Sequence, residues 1–108
     1  MNKNINIAII GLGQIGIYLY NELNLKKKDI EKKTGKKINI VAISARNKKK
    51  KRRFPISKKI FYSNPFQIFH KEKIDILFEC VGLSDGISKK IVEAALKKKI
   101  NVITPNKA

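Results

Sequence analysis

Apolar residues along this 108-residue chain gather into short runs, separated by polar, lysine-rich stretches in which apolar positions recur at helical steps. The first run, "INIAII" at residues 5–10, is isoleucine-rich and lacks strict alternation, the pattern of a strand buried on both faces of a parallel sheet. A glycine-rich break follows. From Gln14 the period becomes helical, with Ile15, Leu19 and Leu23 spaced four apart on one expected buried face. This pattern decays into the lysine-rich residues 26–37, where Gly35 is the expected stop. A second apolar run, "INIVAI" at 38–43, reads as a strand, and the basic "SARNKKKKRR" behind it as a mobile loop with no core. Residues 59–62 predict a short third strand, and Pro65 opens a small helix carrying Phe66 and Phe69. "IDILFECV" at 74–81 predicts a fourth strand. Ile87, Ile91, Ala94 and Ala95 mark one side of a further helix, and "INVIT" closes the series as a fifth strand. No internal repeat is present.

Strands alternating with helices predict an α/β fold, a doubly wound parallel sheet, because parallel neighbours need a crossover and a right-handed helical crossover packs back onto the sheet. The length allows one domain, residues 1–108, with a modest core. Ligands of such sheets bind beyond the carboxyl ends of the strands, which directs attention to the loops after residues 10, 43, 81 and 104.

The first of these loops reads "GLGQIG". Gly11, Gly13 and Gly16 form a G-x-G-x-x-G between a predicted strand and a predicted helix, the setting in which that spacing is a dinucleotide fingerprint. Gly11 permits the tight turn, Gly13 lets backbone approach a pyrophosphate, and Gly16 lets helix pack closely on strand. The amides of the helix start, at Gln14, Ile15 and Gly16, then bind phosphate with help from the helix dipole. The plainer alternative is a strand-to-helix turn and nothing more. At the end of the second strand an NAD site usually places a carboxylate on the adenosine ribose, and here the chain has Ser44, Ala45 and Arg46. A hydroxyl and a guanidinium suit a 2′-phosphate, so NADP is favoured as cofactor with NAD left open. Arg46 as an ordinary exposed side chain is the competing reading.

Composition changes this picture little. Lys and Arg number 25 against 8 Asp and Glu, a formal net charge of +17 that would ordinarily suggest nucleic acid or an acidic membrane as partner. The lysines are spread over every predicted loop and helix face, and Ile and Asn are abundant too, as an AT-rich coding bias would produce. A solvated, compositionally biased surface is the simpler reading, with no specific nucleic acid and no membrane as partner. The 3 Tyr and 5 Phe do not interleave with the basic residues as a nucleic-acid surface requires. Cys80 is the only cysteine, so a reducing compartment, the cytoplasm, is expected. No apolar run approaches the roughly 20 residues of a membrane span. His70 is expected to be exposed and without a catalytic role. Cys80 is expected to be a packed residue rather than a nucleophile, and Glu79 either contacts the cofactor or faces solvent.

Taken in order, "IAIIGLGQIG", "INIVAISAR", "IDILFECVGLSDG" and "NVITPNKA" resemble the amino-terminal NAD(P)-binding domain of homoserine dehydrogenase over nearly the whole chain. The terminal motif is the most specific part. The resemblance implies a Rossmann-like single domain and the reversible NAD(P)-dependent interconversion of homoserine and aspartate semialdehyde, a step towards threonine, methionine and isoleucine. It also implies that the T-x-N-K segment lies beside the nicotinamide, which assigns Thr104 and Asn106 to the cofactor and Lys107 to substrate or hydride-transfer chemistry. Reducing an aldehyde places developing negative charge on its oxygen, which an ammonium can stabilise. Val81 and Gly82 would lie against the nicotinamide ribose, with Ser84 or Asp85 capping the next helix. At "GLSDG" the chain departs from the paired glycines frequent in the family. In that family a dimerisation and substrate domain follows and the enzyme is oligomeric, so this chain is expected to be a cofactor-binding fragment with little or no turnover. A non-catalytic NAD(P) sensor and the nucleotide domain of another amino-acid dehydrogenase are the alternatives.

Overall fold

The computed structural model describes residues 4–45, 57–71, 73–81 and 86–104, and the side chains of 86–88 are not among those described. Five parallel strands stand in the order β3-β2-β1-β4-β5: β1 Asn4–Ile10, β2 Lys37–Ser44, β3 Phe61–Tyr62, β4 Ile76–Glu79 and β5 Asn101–Ile103. The helices between them are α1 Gln14–Thr34, the short α2 Ile68–Lys71 and α3 Gly86–Lys97. The chain winds outward from β1 to β3, then returns past β1 to build β4 and β5 on the other side. This is the doubly wound parallel sheet expected from the alternation of patterns.

β1 runs through the middle, and its residues divide between two cores. Ala8 and Ile10 face one side, where Ala42, Ile68, Phe69, Leu77, Ile91 and Ala95 bury against them. Ile7 and Ile9 face the other with Ile38, Ile43 and Cys80, and Leu19, Tyr20, Leu23 and Ile30 of α1 pack over them. The continuous apolar run Ile7–Ile10 is the consequence of having helices on both faces.

The helical segments add detail that the sequence pattern does not carry. α1 keeps its helix through the lysines, where the apolar pattern fades, and ends at the expected Gly35, φ 74°. Lysine is a good helix former, the i,i+4 pairs Glu22–Lys26 and Asp29–Lys33 lie at 3.1 and 3.7 Å, and half-buried Ile30 anchors the distal turns to the core. Ile15 is not on the buried face: it is 58 % exposed, whereas Gly16 and Ile17 are buried. The close approach at Gly16 sets which side of α1 meets the sheet, and Ile15, about 100° round the helix from it, is turned out. Residues 58–60 form a 3-10 turn rather than the start of β3. Pro65 opens a second 3-10 turn, capped by the Asn64 carboxamide accepting from the Phe66 amide at 2.9 Å, before α2 begins.

At the amino end of the sheet, Asn6 and Asp75 tie β1 to the segment before β4. The Asn6 amide donates to the Asp75 carboxylate at 2.8 Å, and the Asp75 amide returns a bond to the Asn6 carbonyl at 2.8 Å. The Asn6 side-chain amide donates to the Lys73 carbonyl at 2.9 Å. A polar residue in an otherwise apolar strand is explained by this pairing.

α3 buries Ile91 and Ala95 with Ala94 half-buried, as its pattern predicts, while the Ile87 side chain lies outside the described ones. It ends in a Schellman turn in which the Lys99 amide bonds the Leu96 carbonyl and the Ile100 amide the Ala95 carbonyl, both at 3.0 Å. Lys99 takes the left-handed position of that turn, φ 60°, where glycine is the usual occupant.

Candidate functional site

The winding direction reverses between β1 and β4, and a doubly wound sheet opens a crevice at the carboxyl ends of such a pair. The glycine loop occupies that position. Gly11 has φ 95°, a conformation L side chains rarely adopt, and its amide donates to the Ser44 carbonyl at 2.7 Å, joining the loop to the end of β2. A Cβ at Gly11 would stand 2.6 Å from the Cys80 carbonyl oxygen of β4's continuation. Gly16 packs so closely on the turn that a Cβ there would collide with the Gly11 carbonyl. These two glycines are therefore required by the fold.

Gly13 is different. Its φ of −73° and ψ of −163° are open to any residue, and a Cβ added to it would meet nothing within 4 Å. The protein itself does not demand glycine there. Gly13 is the N-cap of α1, offers no side chain to cap it, and the first turn holds no acidic residue. The first helical bond runs from the Ile17 amide to the Gly13 carbonyl at 3.0 Å, so the amides of Gln14, Ile15 and Gly16 have no partner within the helix. An uncapped, un-neutralised helix start facing open space fits a phosphate group in both charge and hydrogen-bond direction.

The neighbouring strand ends supply the rest of what is described. Ser44 closes β2 and is buried, Ala45 is half-buried, and neither of these described residues is a carboxylate. Glu79, the last residue of β4, is only 2 % exposed, so it does not face solvent. One of its carboxylate oxygens accepts from the Val81 amide at 2.8 Å and the other from the Thr104 hydroxyl at 3.1 Å. Thr104 follows β5 and is exposed, so Glu79 spans the two strand ends. Cys80 is buried beside it, and burial together with the Glu79 carboxylate pushes its thiol up to about 11, the opposite of an activated nucleophile. His70 is exposed on α2, away from these strand ends.

The structure thus brings Gly11, Gly13, Gln14, Ile15, Gly16, Ser44, Val81 and Thr104 to the carboxyl edge of the sheet. Arg46, the basic run behind it, Gly82, Ser84, Asp85, Asn106 and Lys107 lie outside the described residues. The bridging role of Glu79 was not legible from spacing, although a lone carboxylate inside "ILFEC" was the available signal. Among the described residues no cluster of His, Cys, Asp or Glu could hold a metal ion, and no helix is long and apolar enough to cross a membrane.

A parallel sheet of this order, with a glycine turn at its reversal point and an uncapped helix behind it, defines a dinucleotide-binding α/β domain. Comparison with known proteins narrows the class. The sequence profile of the family described as "Homoserine dehydrogenase, NAD binding domain" matches residues 11–108, and the chain belongs to that family. It is therefore a domain for a nicotinamide dinucleotide. Over 105 residues it is 29 % identical to the homoserine dehydrogenase of Neisseria gonorrhoeae, covering 97 % of this chain and 24 % of that protein. The Methylobacillus glycogenes homoserine dehydrogenase is 28 % identical over 106 residues, 98 % of this chain and 26 % of the relative. Among solved structures, S. aureus homoserine dehydrogenase superposes with a TM-score of 0.87 at 31 % identity, covering 98 % of this chain and 27 % of that one. The Thiobacillus denitrificans homoserine dehydrogenase does so with 0.78 at 25 % identity, over 96 % and 24 %. The chain thus spans about a quarter of the length of the relatives it matches.

Proposed function

We propose that this chain is the cofactor-binding part of a homoserine dehydrogenase, acting in the interconversion of homoserine and aspartate 4-semialdehyde with NADP preferred over NAD. The observation that carries the reading is the start of α1, whose first amides have no helical partner and whose N-cap, Gly13, has open space where a Cβ would be. The first turn binds the pyrophosphate through the Gln14, Ile15 and Gly16 amides, with Gly11 shaping the turn. The preference for NADP rests on the sequence at the end of β2, where Ser44 and Arg46 occur and an NAD site would have a carboxylate.

The bound cofactor supplies the hydride. Val81, Gly82, Thr104 and Asn106 border its nicotinamide half, and Lys107 stabilises the charge that develops on the aldehyde oxygen. Turnover requires further groups that grip the amino acid from its other side, so the 108 residues alone bind cofactor without appreciable catalysis. The partners in the longer enzyme are its small-molecule substrate and further subunits, and the positive charge of this chain is a solvated surface rather than a nucleic-acid footprint.

Fluorescence titration of the purified chain with NADPH and NADH tests the reading. NADPH should bind saturably and more tightly than NADH, and Arg46→Glu should weaken NADPH by about tenfold or more while leaving NADH within about twofold. Equal affinity for the two would remove the NADP assignment. Binding of neither, with tight oligonucleotide binding at physiological salt, would overturn the whole proposal.

A further inference from the structure

Glu79 is a buried carboxylate in a place where burial is expensive. Removing an ionised carboxylate from water costs several kcal/mol unless its oxygens are well bonded, and a buried strand end could as easily hold an apolar residue. Its two oxygens are used on two different segments. One holds the Val81 amide, two residues on, which fixes the direction in which the chain leaves β4. The other holds the Thr104 hydroxyl, 25 residues away, where the chain leaves β5. Glu79 is also the register partner of Ile10, the residue before the Gly11 turn, and the Cys80 amide donates to the Ile10 carbonyl at 2.7 Å. Three strand ends are thereby coupled through one side chain and its neighbour.

These segments sit on the β4–β5 side of the reversal point. The β2 side takes the adenosine in this class of sheet, so the β4–β5 side takes the other half of the dinucleotide. We infer that Glu79 is a positioning residue for the nicotinamide half of the site: its carboxylate clamps the exits of β4 and β5 at the spacing the nicotinamide ribose and ring require. It acts through Val81 and Thr104 rather than by touching the cofactor. The inference rests on the proposed reading of the site as a dinucleotide site.

The test separates the two halves of the ligand. NADPH and adenosine 2′,5′-bisphosphate, which carries the adenine half alone, are titrated against the wild-type chain, Glu79→Gln, Thr104→Val and the double variant. Glu79→Gln keeps one acceptor oxygen but cannot accept both bonds, and Thr104→Val removes the hydroxyl at an exposed position with little change of shape. Each single variant should weaken NADPH about five- to tenfold and leave the adenine half-ligand within about twofold, since the loss of one ordinary hydrogen bond is of that size. The double variant should be no weaker than Glu79→Gln alone, because either change by itself already breaks the bridge between the exits of β4 and β5. Parallel weakening of both ligands, as a merely structural role would produce, overturns the inference, as does undiminished NADPH binding. If Glu79→Gln does not fold, Thr104→Val decides alone by the same two ligands. A wild-type chain that binds neither ligand overturns the reading of the site, and the inference with it.

Discussion

Gly13→Ala should separate cofactor binding from folding. In the folded chain the added methyl meets no atom within 4 Å, and the backbone at that position is one alanine adopts without strain. Two small terms oppose each other. Alanine is a poorer N-cap than glycine, by roughly 0.5 to 1 kcal/mol, while the loss of glycine's freedom in the unfolded chain returns about 0.4 to 1 kcal/mol. The net change is near zero, so the melting temperature should move by less than about 4 °C. That methyl would stand at the N-cap of α1, where the glycine of this fingerprint lets a pyrophosphate approach the backbone. NADPH affinity should therefore fall at least tenfold, a loss of about 1.4 kcal/mol or more. Gly16→Ala provides the contrast, because its Cβ would collide with the Gly11 carbonyl, and it should destabilise the domain by about 3 kcal/mol or more. Thermal melts followed by circular dichroism and NADPH titrations on the same samples give both numbers. Wild-type NADPH affinity in a folded Gly13→Ala variant would refute the placement of the phosphates at the α1 start.

Other consequences are independent of the cofactor. Lys99→Gly should stabilise the chain by about 0.5 to 1 kcal/mol in urea unfolding, since glycine relieves the left-handed strain at the end of α3 and returns part of the gain as unfolded-state entropy. Asp75→Ala should destabilise it by about 1 to 3 kcal/mol, because the Asn6 amide loses its carboxylate partner at the amino edge of the sheet. The Cys80 thiol, raised from an ordinary 9.0 to about 11, costs the folded state stability wherever the unfolded chain ionises first. The cost is absent below pH 9, where the thiol is protonated in both states, and stability falls as pH rises from 9 to 11, because the unfolded chain then binds fewer protons than the folded one. Comparing wild type with Cys80→Ala across that window isolates it from the lysines, and identical pH slopes for the two would contradict it. At pH 8 the native thiol should also alkylate about a hundredfold more slowly than the unfolded one, as two pKa units imply.

Much of this architecture was legible because its causes are local. Continuous isoleucine runs mark strands covered on both faces, Ile91 and Ala95 mark the side of α3 that packs, and Gly35 marks the end of α1. Gly11 and Gly16 were readable for the same reason, since a tight turn followed by a close helix leaves few residue choices. The errors came where neighbours in space outweighed neighbours in sequence. Ile15 has the right helical spacing from Leu19, yet the contact of Gly16 with Gly11 sets the rotation of α1 and turns Ile15 outward. By contrast, the expected stop of α1 at Gly35 holds, and its lysine-rich half keeps the helix because Ile30 reaches the core.

The sequence alone determined the alternation of strands and helices, the glycine turn that begins the site, and the absence of a carboxylate after β2. These are statements about backbone conformation and residue type, and they need no knowledge of what lies across the sheet. Only the tertiary structure decided that Gly13 faces open space while Gly11 and Gly16 do not, and that Glu79 reaches Thr104 across 25 residues. Both depend on distances between segments far apart in the chain, set when β4 and β5 pack beside β1, and no periodicity within any one segment records them.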